Sequence, residues 1–263
     1  MLSCVDQMGR EVKLSAPAKR IISIVPSQTE YLCDLGLQEE VIGITKFCIH
    51  PNDWFRTKER VGGTKNLDLD KIRELNPDLI IGNMEENTKA DIQSLENEFP
   101  IYMSDVLTID SAFDMMLDIG LLVGKTEEAK LLVSEIKEDF SSFPKFEGKV
   151  LYFMWKNPYM TAGKATFIGK MIEFLGFTNL YEEEDGRYKE ISDEEIKESP
   201  ASLYLLSTEP FPFKENDVEE FQNKFSKKAI VVDGEMFSWY GSRMKLMKAY
   251  FSNLKARIDN NDF

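Results

Sequence analysis

Through the middle of the chain, apolar residues recur at Ile109, Phe113, Met116 and Ile119, then at Ala129, Leu132, Ile136 and Phe140. That is the period of a helix rather than of a strand. Gly124 interrupts the pattern, and Thr126-Glu127-Glu128 restarts it with an N-cap hydroxyl and carboxylates where the helix dipole favours them. The spacing predicts helices over about 110–123 and about 126–142. The second would be about 25 Å long at the usual rise per residue. Strand-like and helix-like patterns alternate on both sides of this pair, so the fold class expected is α/β. The division expected is an α/β lobe over 1–108, connecting helices over 109–143 and a second α/β lobe over 144–263. A rigid helical backbone joining two lobes, with a ligand cleft between them, is the layout of a binding protein.

In the first lobe, Val12 to Ala18 reads as a short strand and a turn at Pro17, and Arg20 to Val25 as a buried strand ended by Pro26. Ser27 supplies an N-cap for a helix through Tyr31 and Leu35 that stops at Gly36, and Val41 to Ile44 is the next strand. A strand–helix–strand unit this short implies parallel pairing. Further on, the pattern predicts helices over 69–75 and 87–98 and strands over 78–82 and 100–103. The second lobe opens with an aromatic-rich strand over 149–155, in which Phe153 and Trp155 share a face. Helices over 166–175, 193–197 and 244–258 and strands over 203–206 and 229–232 follow, with Pro210-Phe211-Pro212-Phe213 in a surface loop. The two lobes repeat one scheme: the stretch from Leu69 to Leu79 matches that from Ser192 to Leu203, each a short helix, a proline and a strand.

Composition narrows the function classes. Hydrophobic residues at 43% and charged residues at 30% fit a soluble globular protein, and a net charge of −14 argues against nucleic acid. Cys4, Cys33 and Cys48 form neither a disulfide framework nor a zinc knuckle, which favours a reduced compartment, with one disulfide plus one free thiol as the other reading. There is no apolar run long enough to span a membrane, and Met1 to Asp6 contains no apolar signal core. Leu2-Ser3-Cys4 resembles the tail of a lipoprotein cleavage box, with an ordinary thiol as the other reading. Catalytic motifs are missing: no G-x-S-x-G, no H-E-x-x-H, and a single histidine, His50. Gly62-Gly63-Thr64-Lys65 lacks the spacing of a phosphate loop and reads as a turn, and Glu182-Glu183-Glu184-Asp185 reads as a solvated charge run. No catalytic residue and no required cofactor is expected.

His50 lies in Phe47-Cys48-Ile49-His50-Pro51, directly after the second strand, at the sheet edge where open α/β folds bind ligands. If the segment is extended, Cys48 and His50 point to the same side. A thiolate and an imidazole make a soft metal pair or axial ligands, although two ligands do not close a zinc site. Facing them would be Trp155, Pro158, Tyr159 and Met160, with Phe237, Trp239, Tyr240 and Arg243. Aromatic planes stack on a flat macrocycle and an arginine pairs with carboxylates. The competing reading buries Trp155 in the core beside Phe153.

Several stretches then carry a family resemblance: Arg20-Ile21-Ile22-Ser23-Ile24-Val25-Pro26-Ser27-Gln28-Thr29-Glu30, Gly43-Ile44-Thr45, Val61-Gly62-Gly63, Asn76-Pro77-Asp78-Leu79-Ile80, Pro158-Tyr159-Met160-Thr161-Ala162-Gly163 and the loop from Phe237 to Arg243. In order and spacing the chain resembles the substrate-binding proteins of cobalamin and iron-complex ABC importers over about Asp6 to Ile258. The resemblance implies two Rossmann-like lobes on a rigid helical backbone and a monomer. The ligand it implies is a metal chelate: a cobalamin-like corrinoid, haem or an iron-siderophore. It also implies an ABC permease as partner, met through acidic residues that fall on Asp70 and Glu194. Asp70 stands where the family has glutamate and reaches one methylene less far; capping alone also supplies such carboxylates. Aromatic groups that sandwich the ring fall near Phe47, Tyr188 and the loop Phe237–Tyr240, and Thr64 stands where a tryptophan is expected. The compartment implied is the periplasm or cell envelope. The missing signal core supports a competing reading: a cytoplasmic metal- or tetrapyrrole-handling enzyme on the same scaffold, using Cys48 and His50.

Overall fold

An apolar run without alternation suits a strand covered on both faces. In the computed structural model, which describes residues 1–181 and 186–261, the strand Ile21–Ser23 accordingly lies at the centre of a five-stranded parallel sheet. Val41–Ile44 and Leu79–Asn83 flank it, with Glu59–Arg60 and Ile101–Ser104 at the edges. Counted along the chain the strand order is 3-2-1-4-5, so the winding direction reverses between Ile21–Ser23 and Leu79–Asn83. Ile22, Ile24, Ile80 and Ile101 pack against Ile72 of the helix Leu69–Leu75 and against Ile92 and Leu95 of the helix Lys89–Leu95. Two further helices, Pro26–Asp34 and Ile109–Leu122, are tied together where the Tyr31 hydroxyl donates to the Met116 carbonyl at 2.7 Å.

This unit comprises Met1–Val106, Asp110–Lys137 and Tyr240–Arg243. The second unit comprises Leu107–Ile109, Glu138–Trp239 and Met244–Phe263. Its sheet centres on Lys149–Trp155, parallel to Leu203–Ser207, which is parallel in turn to Lys228–Val232. On the other side Lys149–Trp155 runs antiparallel to Met160–Ala162, which pairs with Tyr188–Glu190. Phe153, Tyr204, Phe213, Phe221 and Phe225 fill one face as a cluster of edge-on rings.

The helices expected over about 110–123 and about 126–142 form at Ile109–Leu122 and Thr126–Phe140. They approach closely at Gly120, where a Cβ would lie 2.4 Å from that of Ala129. The first helix begins at Pro26, with Val25 as N-cap, rather than at a Ser27 cap: the fixed φ of proline already suits the first helical position. The helix Glu215–Phe225, with Val218, Phe221 and Phe225 on its buried side, was not foreseen from the sequence. The 210–213 loop also differs from expectation. Phe213 is buried at 2% exposure against Phe211 and Phe221, because two phenylalanines spaced by a proline have a core to fill. The charge run Glu182 to Asp185 lies outside the described residues. Among those described, no helix is long and apolar enough to cross a membrane.

Candidate functional site

In open α/β sheets ligands collect beyond the carboxyl ends of the strands, at the point where the winding reverses. In the first unit that point is framed by the segments that follow Ser23 and Asn83. Asn83 and Asn87 close it with side-chain hydrogen bonds. Asn87 Oδ1 accepts from the Asn83 amide at 2.8 Å, and its Nδ2 donates to the Ile24 and Thr64 carbonyls at 3.2 Å each. Asn83 Nδ2 donates to Ser104, and Gln28 Nε2 donates to the Ser104 hydroxyl at 2.5 Å. Gly82 permits this crowding, since a Cβ there would meet Met103 Sδ at 2.5 Å and Asn87 Oδ1 at 2.9 Å. Burial pushes the Glu86 carboxyl above the usual range, with Lys65 opposing the shift. Glu86 and the asparagine pair were not singled out from sequence. The available signal was a polar residue ending an all-apolar strand, repeated four positions later.

The loop from Thr45 to Pro51 holds the first group of expected site residues. It is a turn, not an extended segment: the Cys48 amide bonds back to the Thr45 carbonyl and the Ile49 amide to that of Phe47. The turn separates the neighbouring side chains. Phe47 is 51% exposed, His50 is half-buried, and Cys48 is fully buried with Thr29 and Thr45 hydroxyls 3.1 and 3.2 Å from its sulfur. Burial raises the Cys48 thiol above its ordinary value, which disfavours a thiolate ligand. No third His, Cys, Asp or Glu joins Cys48 and His50 in a metal-holding group among the described residues. Thr64 is buried at the turn of the hairpin Gly62–Gly63/Asn66–Leu67.

The segment Tyr240–Arg243 also belongs to the first unit. Gly241 turns the chain with φ +94 beside Tyr31. Arg243 is spent on the protein itself: Nε and Nη2 each donate to a different oxygen of Glu30 at 2.7 Å. Tyr240 is buried, its hydroxyl shared with Ser27 and Ser104.

In the second unit the strand Lys149–Trp155 is irregular in pairing between Phe153 and Trp155, and the two rings part company. Phe153 is fully buried, whereas Trp155 is 40% exposed, its ring edge-on to Phe211 at 5.9 Å. Tyr188, on the edge strand, is 37% exposed. Tyr159 and Phe237 sit in the core, the first among Phe153, Phe221 and Phe225, the second between Tyr152 and Phe251. Trp239 is nearly buried and bonds to Glu209, a carboxyl just past the strand Leu203–Ser207. Ser238 also donates to Glu209, at 2.9 Å; burial nevertheless pushes this carboxyl up to about 7. Sequence reading passed over Glu209 because nothing local marks a glutamate in a Pro-rich loop. Of the residues expected to bind ligand, Phe47, Trp155 and Tyr188 present exposed rings, His50 is half-buried, and Cys48, Tyr159, Phe237, Trp239, Tyr240 and Arg243 are buried.

Asp70 and Glu194 occupy equivalent places, each in the first turn of a short helix, Leu69–Leu75 and Asp193–Glu198. Neither is needed as a cap. Asp68 caps the first helix by accepting from the Lys71 amide, and Ser192 with Glu195 forms a reciprocal capping box on the second. The Asp70 side chain is 99% exposed, and Glu194 is exposed too.

Comparison with known proteins adds four findings. A family described as periplasmic binding protein matches residues 21–231. The vitamin B12-binding protein of Pectobacterium carotovorum is 23% identical over 87% of this chain and 85% of its own. An ABC transporter substrate-binding lipoprotein of Bacillus subtilis is 26% identical over 73% of this chain and 64% of its own. Among solved structures, the periplasmic heme-binding protein of Roseiflexus superposes with a TM-score of 0.74 at 18% identity, over 92% of this chain and 98% of the other.

Proposed function

Since this chain belongs to the periplasmic binding protein family, we propose that it is the substrate-binding component of an ABC-type importer and carries a metal chelate, a corrinoid, haem or iron-siderophore complex. The observation that carries this reading is the exposure of a few rings in a chain that buries most others. The exposed ones include Phe47, at the carboxyl edge of its sheet, and Trp155 and Tyr188. A flat macrocycle offers two faces for stacking, and exposed rings recover apolar contact area only when such a ligand arrives. His50, half-buried in the same turn as Phe47, is the protein group suited to an axial position on the metal. Arg243, committed to Glu30, is assigned to holding its own unit together rather than to ligand carboxylates.

Asp70 and Glu194 are the contacts offered to the permease, since both stand exposed and neither is consumed by capping. The protein works in the periplasm or at the cell envelope on this reading.

The deciding experiment is a titration of the purified protein with cobalamin, haemin and a ferric siderophore, followed by ligand absorbance and tryptophan fluorescence. Saturable binding of one of them, weakened by Trp155→Ala and by Phe47→Ala, is expected. Loss of the spectral shift in His50→Ala would identify the axial group, while an unaltered shift would leave stacking as the main contact. If none of the three binds, the metal-chelate reading fails.

A further inference from the structure

A cavity of about 360 Å³ in the first unit is lined by three methionines from three separate stretches of chain: Met8, Met84 and Met103. Met8 lies in the turn of the N-terminal hairpin, Met84 directly follows the strand Leu79–Asn83, and Met103 lies in the neighbouring strand Ile101–Ser104. One buried carboxylate fixes two of them. Asp6 accepts from the Met8 amide through Oδ1 at 3.0 Å and from the Met103 amide through Oδ2 at 3.1 Å. The sheet fixes the third, with the Met84 amide bonded to the Ser104 carbonyl at 2.9 Å and Gly82 paired with Met103. Core packing accounts for Met103, which is 5% exposed, but not for Met8, a turn residue standing 47% exposed.

We propose that Met8, Met84 and Met103 form a binding site for a soft monovalent cation, Cu(I), through their three thioether sulfurs. Thioethers favour Cu(I) over harder ions, and they bind without losing a proton. Unbranched methionine side chains can swing into a common position within a cavity of this size. Arg10 and Glu96 line the same rim and pair with each other at 3.5 Å, and the Arg10 guanidinium is held as well by Asp6 at 2.7 Å. Lys89 lines the cavity too, a second cation besides Arg10 that works against a metal ion. This site is separate from the residues assigned above to the chelate.

The test uses the full chain carrying Cys4→Ser and Cys33→Ser, so that half-buried thiols do not compete, labelled with 13C at the methionine methyls. Titration with Ag(I), an air-stable analogue of Cu(I), should saturate at one equivalent. It should move the methyl resonances of Met8, Met84 and Met103 and leave the rest of the 12 methionines in place. Met8→Leu and Met84→Leu, which preserve apolar volume, should each weaken binding by about tenfold or more, at least what losing an outer-shell partner costs a metal site. Affinity should stay level from pH 8 to pH 5, where a thiolate or imidazole site would lose its ion. The proposal is overturned if Ag(I) leaves these three resonances unmoved, or if the Leu variants bind as tightly. It also fails if the resonances respond only to an apolar probe such as anilinonaphthalene sulfonate, which would make this a pocket for apolar molecules.

Discussion

Arg243 and Glu30 meet fork to fork, with side-chain exposures of 8% and 18%, so water screens the pair poorly. Removing one member strands the other charge. Arg243→Ala should therefore destabilise by about 3 kcal/mol, and the double change Glu30→Gln/Arg243→Met by much less than the sum of its parts. Urea unfolding of the singles and the double measures this; additive effects would show that the pair is not coupled. Glu209 poses a different residue-scale question, because burial raises its carboxyl from an ordinary 4.5 to about 7. The folded chain then holds that proton more tightly than the unfolded chain does. The associated stability is complete below about pH 4.5 and is lost as pH rises towards about 7. Glu209→Gln should flatten this dependence, so the gap in urea midpoint between pH 5 and pH 8 should shrink in the variant. Sequence alone revealed neither residue's role, since both depend on partners far along the chain: Arg243 is 213 positions from Glu30, and Glu209 is 29 from Ser238. The Thr45–Pro51 turn depends on one distant partner, 19 positions away, and one local one. Two side-chain hydroxyls, on Thr29 and Thr45, draw Cys48 inward and undo the alternation that an extended segment would have had.

Helices and strands were far more legible. The strand Lys149–Trp155 and the helix Leu69–Leu75 fall where the apolar period and the punctuating proline placed them. Such signals are local and strong. Glu215–Phe225 escaped notice because its apolar residues are few and its face is mostly charged; only the core beneath it reveals why Val218, Phe221 and Phe225 are there. At this scale capping and partner contact can be separated. Asp68→Ala and Ser192→Ala should each cost about 1 kcal/mol through loss of the cap. Asp70→Asn and Glu194→Gln, exposed and not capping, should stay within about 0.5 kcal/mol of the parent in stability. On the transport reading, the second pair should nevertheless impair uptake in reconstituted vesicles. Equal impairment by both pairs would show that helix integrity, not the carboxylates, is what uptake needs. Gly169→Ala is the severe case: its Cβ would fall 2.2 Å from the Gly163 carbonyl oxygen, so the helix Phe167–Phe174 must shift. A loss of about 1–3 kcal/mol in urea unfolding is expected.

For the molecule as a whole, a ligand that binds only the folded chain stabilises it by mass action. At about 100 times the dissociation constant the gain is about 2.7 kcal/mol. The melting temperature should therefore climb with the concentration of whichever chelate binds, and a chelate that leaves it unmoved is not the cargo. The alternation of strands and helices disclosed two α/β units, but it could not disclose how the chain is shared out. Tyr240–Arg243 belongs to the first unit while the residues on either side belong to the second, and four residues are too few for any periodicity to register. That short return has a consequence for how such proteins recombine. A hybrid gene joining residues 1–137 of this chain to the remainder of a relative would part Glu30 from Arg243 and Ser104 from Tyr240. The halves of this fold are not interchangeable cassettes: an exchange that preserves the first unit must carry Tyr240–Arg243 along with it.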